Sequence, residues 1–151
     1  MSHRIWYAVG ALAVLATALF LYRTEMPLAI ASFGNTSLIV EYVTDEAAQE
    51  RGLGGRDVVP EHYGMLFAFT VDDTYGFWMK DMRVPIDIFW LDSQGQVVSM
   101  RRNLATSTYP HVFYPVVPAR YVLETAAGFA DTYGVATGTP LKLKNLKRVS
   151  E

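Results

Sequence analysis

Two carboxylates stand in apolar, strand-like stretches of this 151-residue chain: Asp87 among Ile86, Ile88, Phe89 and Leu91, and Glu124 after Val122 and Leu123. Two acids held close together push their pKa values apart and can share the acid and base roles of a hydrolysis. Lys80 follows Trp78 by two residues, and an amine desolvated beside that ring could act as a nucleophile. Each group also has a plainer use. A buried carboxylate requires a cation or several donors. Lys80, Arg51, Arg56 and Arg83 are available cations, so a charge network that fixes strand register accounts for the same residues. Either way, one of these cations is expected within ion-pair reach of Asp87 or Glu124.

Other chemistries lack their residues. There is no cysteine, which removes disulfides, thiolate zinc sites and thiol nucleophiles. His3, His62 and His111 are scattered, with no pair at metal spacing. No nucleophile elbow of the glycine–x–serine–x–glycine type and no phosphate-binding glycine loop is present. Neither a metal nor a cofactor is expected. The net charge of −2 gives no basis for nucleic-acid binding.

The elements that must position these residues are mostly strands. The stretch Gly76 to Asp92 is the densest, with two tryptophans, Lys80, Arg83 and three aspartates among apolar residues. Ile86, Ile88 and Trp90 fall on one side of an extended strand, and Asp87, Phe89 and Leu91 on the other. Pro85 cannot donate to a ladder and marks the strand's start or an edge. Asp87 then either caps a turn at the strand end and meets water, or enters a partly buried ion pair. Ser37 to Val43 alternates in the same way. A short helix follows, with Thr44 or Asp45 as cap, Arg51 in its last turn and Gly52 suited to a left-handed exit.

Met65 to Phe69 reads as a short strand, residues 72–76 as a turn, and residues 92–95 as a hairpin turn into Gln96 to Met100. Residues 103–119, with three prolines and several aromatics, read as a long loop of functional rather than disordered type. Tyr121 to Glu124 returns to strand. Gly128 to Tyr133 is a short helix stopped by Gly134. Leu141 to Lys144 alternates and exposes a basic face.

The N-terminus is of another kind. Ile5 to Tyr22 is an unbroken apolar run between Arg4 and Arg23. As a helix it would span about 27 Å, close to the bilayer core, and Trp6, Tyr7 and Tyr22 would sit at the interfaces. A cleaved signal peptide is the alternative, because Ala29-Ile30-Ala31 fits a small-x-small cleavage site. Run length and the intervening Arg23, Glu25 and Pro27 favour an uncleaved anchor. The flanking charges tilt slightly toward an inside N-terminus. The chain therefore divides into an anchor (1–23), a linker (24–36), a β domain (37–146) and a tail (147–151). The β domain would stand outside the cytoplasm.

Several blocks occur together in one order: Arg51-Gly52-Leu53-Gly54-Gly55-Arg56, Gly64-Met65-Leu66-Phe67, Phe77-Trp78-Met79-Lys80, Pro85-Ile86-Asp87-Ile88 and Tyr121-Val122-Leu123-Glu124, then Gly128. On these the chain resembles the DUF192 (UPF0127) family, a widespread prokaryotic domain of unknown function. The resemblance implies a compact β-barrel or sandwich of jelly-roll type with short helices, often preceded by an export signal or anchor. It implies no activity. It places Arg51, Arg56, Trp78, Met79, Lys80, Asp87 and Glu124 at the family's characteristic polar and aromatic positions. The chain departs from the family pattern at Gly54, at Asp81-Met82 and at Thr139.

The expected function is that of a membrane-tethered domain that binds a small acidic or sugar-like ligand, or an envelope partner, through those seven residues. The alternatives are a hydrolase built on Asp87 and Glu124, and a scaffold in which the charges are structural.

Overall fold

Side-chain alternation along the chain builds a β structure in which the central strands are buried on both faces. The computed structural model describes residues 27–147. The apolar run of residues 5–22, with its expected span, lies outside the described residues. Among the described residues, no helix is long and apolar enough to cross a membrane.

The strands are β1 (Leu28–Phe33), β2 (Thr36–Val43), β3 (Tyr63–Asp73), β4 (Phe77–Trp78), β5 (Ile86–Leu91), β6 (Val97–Leu104), β7 (Val112–Phe113), β8 (Ala119–Ala126) and β9 (Leu141–Lys147). Two short helices, α1 (Glu46–Arg51) and α2 (Phe129–Tyr133), and one 3-10 turn at Thr106–Thr108 complete the described elements. Seven strands form one sheet in the order β6-β5-β8-β3-β2-β1-β9, and β4 pairs with β7 in a two-stranded ribbon. Only β2 and β3 run parallel among the ladders of the large sheet. Parallel neighbours require a long crossover, and residues 44–62, including α1, supply it.

The outer strands of the sheet meet at one end. Gln96 bridges Pro140, the Val97 amide donates to the Thr139 carbonyl, and the Leu141 amide donates to the Gly95 carbonyl. The sheet is thus a curled half-barrel. The expected mainly-β domain with short helices is observed, as a single curled sheet plus a small ribbon.

Each face carries its own core. Phe33, Leu38, Val40, Leu66, Phe89 and Leu123 pack inside the curl. Met65, Phe67, Ile88, Trp90 and Val122 pack on the outer face, under Ala48, Leu53 and Met79 of the overlying segments. Strand β5 is buried at every position, because it serves both cores.

Two sequence boundaries need correction. Residues 24–36 were expected to be a linker, yet Leu28–Phe33 is β1, with Ala29, Ala31 and Phe33 buried. The small residues that fit a cleavage pattern are core residues here, where alanine suits the tight concave face. Residues 103–119 were expected to be an irregular loop, yet Val112–Phe113 is β7, pairing Trp78 with Val112 and Phe77 with Phe113. The strand is two residues long, too short for any alternation to reveal.

Candidate functional site

The crossover between β2 and β3 and the segment before β5 build a cleft on the outer face of the sheet. Helix α1 starts where expected: Asp45 Oδ1 accepts from the Ala48 amide at 3.0 Å. Gln49 Nε2 donates to the Ala68 carbonyl at 3.1 Å and so ties α1 to β3. The helix ends at Gly52, with a positive φ of 53° as expected but a ψ of −140° in place of the left-handed helical exit. A β-carbon at Gly52 would lie 3.2 Å from Glu124 Oε2, so the glycine leaves room for that carboxyl. Opposite α1, Trp90 Nε1 donates to the Tyr75 carbonyl at 2.8 Å and holds the Tyr75–Trp78 wall over the sheet. The Gly55 amide donates to the Asp81 carbonyl at 2.8 Å and ties the loop after α1 to the turn that carries Lys80.

The cleft volume is about 300 Å³. Arg51, Trp78, Lys80 and Glu124 all line it. Phe69 and Tyr75 stack with ring centroids 3.5 Å apart on the same wall. Trp78 is 39% exposed, whereas Glu124 is 4% exposed. Glu124 accepts from the Leu53 amide at 3.3 Å. Burial pushes its carboxyl up to about 7, against the smaller opposing effects of the Leu53 hydrogen bond and the Arg56 charge. A carboxyl poised there both donates and accepts near neutral pH. Lys80 stands 3.6 Å from Glu50 at the mouth.

The other expected site residues lie elsewhere. Met79 is 1% exposed and belongs to the outer core. Arg56 binds both oxygens of Glu41 at 2.8 and 3.0 Å and the Tyr63 hydroxyl at 2.8 Å. It acts on Glu124 only through its charge. Asp87 is completely buried and belongs to the concave face. Its oxygens accept from the amides of Asn103 at 2.7 Å, Gly128 at 3.2 Å and Ala130 at 2.9 Å. Asn103 and Gly128 both adopt positive φ, 52° and 83°, which turns their N–H groups toward that carboxylate.

Among the described residues, no lysine or arginine lies within ion-pair distance of Asp87 or Glu124. The expected ion pair is therefore corrected. Backbone donors satisfy Asp87, and a shifted protonation equilibrium relieves Glu124. Asp87 and Glu124 do not form an acid–base pair either, since they point to opposite faces. Among the described residues, no cluster of His, Asp and Glu could hold a metal ion.

Sequence reasoning missed the contribution of α1. Glu46, Gln49 and Glu50 line the cleft, and their i, i+3, i+4 spacing places them on one helix face. That spacing was the available signal.

Comparison with known structures supports the fold. A protein from Sinorhizobium meliloti 1021, described as a proposed transcription regulator, is similar with a TM-score of 0.76 and 25% identity, covering 80% of this chain and 97% of its own. A protein of unknown function from Novosphingobium aromaticivorans DSM 12444 is similar with a TM-score of 0.71 and 22% identity, covering 80% of this chain and 89% of its own. The comparison with curated proteins returns no match. Residues 28–143, which run from β1 into the start of β9 and include every residue of the cleft, match the profile of DUF192, an uncharacterised ACR, and the chain belongs to that family.

Proposed function

We propose that this is a binding domain that holds a small, neutral, sugar-like ligand in the Glu124 cleft, tethered to a membrane by residues 5–22 and standing outside the cytoplasm. One observation carries the reading: a buried carboxyl, which burial pushes up to about 7, forms the floor of an open cleft beside a partly exposed tryptophan. A ring face covers the apolar face of a sugar, and a carboxyl that can donate or accept suits hydroxyl groups. Arg51 and Lys80 add donors at the rim.

The charge balance favours a neutral ligand over an acidic one. Glu46, Glu50 and Glu124 line the same cleft as Arg51 and Lys80, and Glu50 already stands against Lys80. The hydrolase built on Asp87 with Glu124 loses support, because the two acids cannot reach one bond from opposite faces.

The test uses the full chain in a detergent without a sugar headgroup. Neutral mono- and disaccharides and uronic acids are titrated while the thermal midpoint is followed, since a ligand that binds only the folded state raises it. Neutral sugars are expected to raise the midpoint, and Trp78→Ala to abolish the rise. No rise with any neutral sugar, a rise with uronic acids alone, or a rise that survives Trp78→Ala would each overturn the reading. The location has its own test. Ser107→Cys in this cysteine-free chain should react with an impermeant maleimide in intact spheroplasts, and labelling only after lysis would refute it.

A further inference from the structure

The outer face of the sheet is covered unevenly. Over β3, β5 and β8 it lies beneath the overlying segments through Ala48, Leu53, Val59 and Met79. That cover reaches β2 at Glu41, where Arg56 is bound. Beyond that point, among the described residues, no segment overlies the outer face of β2, β1 and residues 141–144 of β9. Leu28, Ile30 and Ile39 are 39%, 42% and 47% exposed. Ile30 and Ile39 are direct register partners, and Leu28 lies two residues from Ile30 on the same face. Ala29, Ala31 and Val40, which alternate with them, are buried in the core. The exposure therefore belongs to the face and not to loose packing.

Cations border this aliphatic group. Lys142, the register partner of Ser32, is exposed, as is Lys144. Lys144 Nζ reaches Ser37 Oγ at 3.3 Å, across β1. Glu41, on the same face of β2, is neutralised by Arg56. The face thus presents three aliphatic side chains and two lysines with a positive balance.

We propose that this ribbon face rests on the surface of an anionic lipid bilayer. Aliphatic side chains on a bordered face enter the boundary between headgroups and acyl chains, while lysine stems lie along it and place their ammonium groups on anionic headgroups. Chain connectivity selects the same face. Residues 23–27 alone separate the apolar run from β1, so a bilayer that holds the run has β1 beside it. A second exposed apolar group, Tyr114, Val116 and Val117 on the connection from β7 to β8, lacks the charge. Arg120, the cation that follows it, is held by Asp72 at 2.6 Å. The proposal rests on the membrane tether proposed above and is independent of what the Glu124 cleft binds.

The absence of cysteine permits single-site labelling. A bimane fluorophore is attached at Ile39→Cys or, as a control, at Val116→Cys in the full chain. The chain is reconstituted in vesicles of phosphatidylcholine alone or mixed with phosphatidylglycerol, each with a doxyl-lipid quencher. The label at position 39 is expected to be quenched at least about threefold more in anionic than in neutral vesicles, and the label at position 116 equally little in both. Lys142→Glu with Lys144→Glu should return position 39 to its neutral-vesicle level. Both lysines are exposed, so an unchanged thermal midpoint verifies that the double variant is folded. Equal quenching of position 39 in both vesicle types overturns the proposal, as does quenching of position 116 in place of 39. Shielding of position 39 from aqueous iodide without lipid quenching, rising with the protein-to-lipid ratio, would assign the face to a second copy and equally refute it.

Discussion

Asp87 and Glu124 stand one register step apart on neighbouring strands and face opposite sides of the sheet. Asp87 pairs with Thr125 across the ladder, and Ile88 pairs with Glu124. Alternation therefore sends one carboxyl into the concave core and the other into the outer cleft. The two acids share a sheet but neither a solvent space nor a proton. Their burial is resolved in different ways: Asp87 by three backbone donors, Glu124 by a pKa raised to about 7.

The raised pKa of Glu124 fixes the sign of a pH effect. Its folded value lies above the ordinary 4.5, so its contribution to stability is complete below pH 4.5 and is lost as pH rises to about 7. The loss amounts to roughly 3 kcal/mol at 1.36 kcal/mol per unit. Glu124→Gln removes this dependence and keeps an acceptor for the Leu53 amide. Urea unfolding at pH 4.5 and pH 8 should show the variant gaining on the wild type at the higher pH. Equal pH dependence in both proteins would contradict the assignment.

Arg56 is expected to hold the Glu124 equilibrium down from a distance. It makes no hydrogen bond to Glu124, yet its charge opposes the effect of burial. Arg56→Met should move the Glu124 midpoint further upward, as read by carbon NMR of a labelled carboxyl. An unchanged or lowered midpoint would show that the charge is screened.

Replacing Asp87 tests the donor cage. Asp87→Ala strips the acceptor from three amides at once and should destabilise the domain by about 3–5 kcal/mol, since buried donors left alone cost on the order of 1–3 kcal/mol each and relax in part. Asp87→Asn keeps one acceptor oxygen and should fall between the two proteins. Chemical denaturation measures both, and a loss below about 1 kcal/mol for the alanine variant would mean that water replaces the carboxylate.

Gly52 separates backbone strain from cleft chemistry. With φ at 53° and ψ at −140°, a side chain there is strained, and its β-carbon crowds Glu124 Oε2. Gly52→Ala should cost about 1–3 kcal/mol and also disturb the Glu124 titration. Gly55→Ala has positive φ but open space around its β-carbon, so it should cost stability while leaving that titration unchanged. The same denaturation and NMR measurements distinguish the two.

The sequence revealed residue faces better than residue partners. Alternation placed Asp87 with Phe89 and Leu91, and the structure keeps all three on one side of β5. The cap at Asp45, the helix at 129–133 and its stop at Gly134 were also legible, because capping residues act within a few positions of themselves. The donors to Asp87 were not legible. Asn103, Gly128 and Ala130 contribute only backbone N–H groups, which carry no side-chain signature, and they come from distant segments. A buried carboxylate is answered here by backbone donors in place of a side-chain cation. The cleft was half legible: Trp78, Lys80, Arg51 and Glu124 converge, while Arg56 and Met79, close to them in sequence, turn away into a pair with Glu41 and into the core.

The pairing of β1 with β9, from Leu28 opposite Lys147 to Phe33 opposite Leu141, joins the first and last of the described strands. During synthesis β1 can pair with β2 as soon as both emerge, but its other edge must wait for the last strand. A partner so distant along the chain imposes a large loop-closure entropy before any contact rewards it. The β1 edge that meets β9 therefore stays open until β9 has been made. In the finished fold the same pairing sets the two ends of the domain side by side. A linker from residue 147 back to residue 28, with new ends cut in the turn at residues 93–95, would preserve the sheet while reversing the order in which its edges become available.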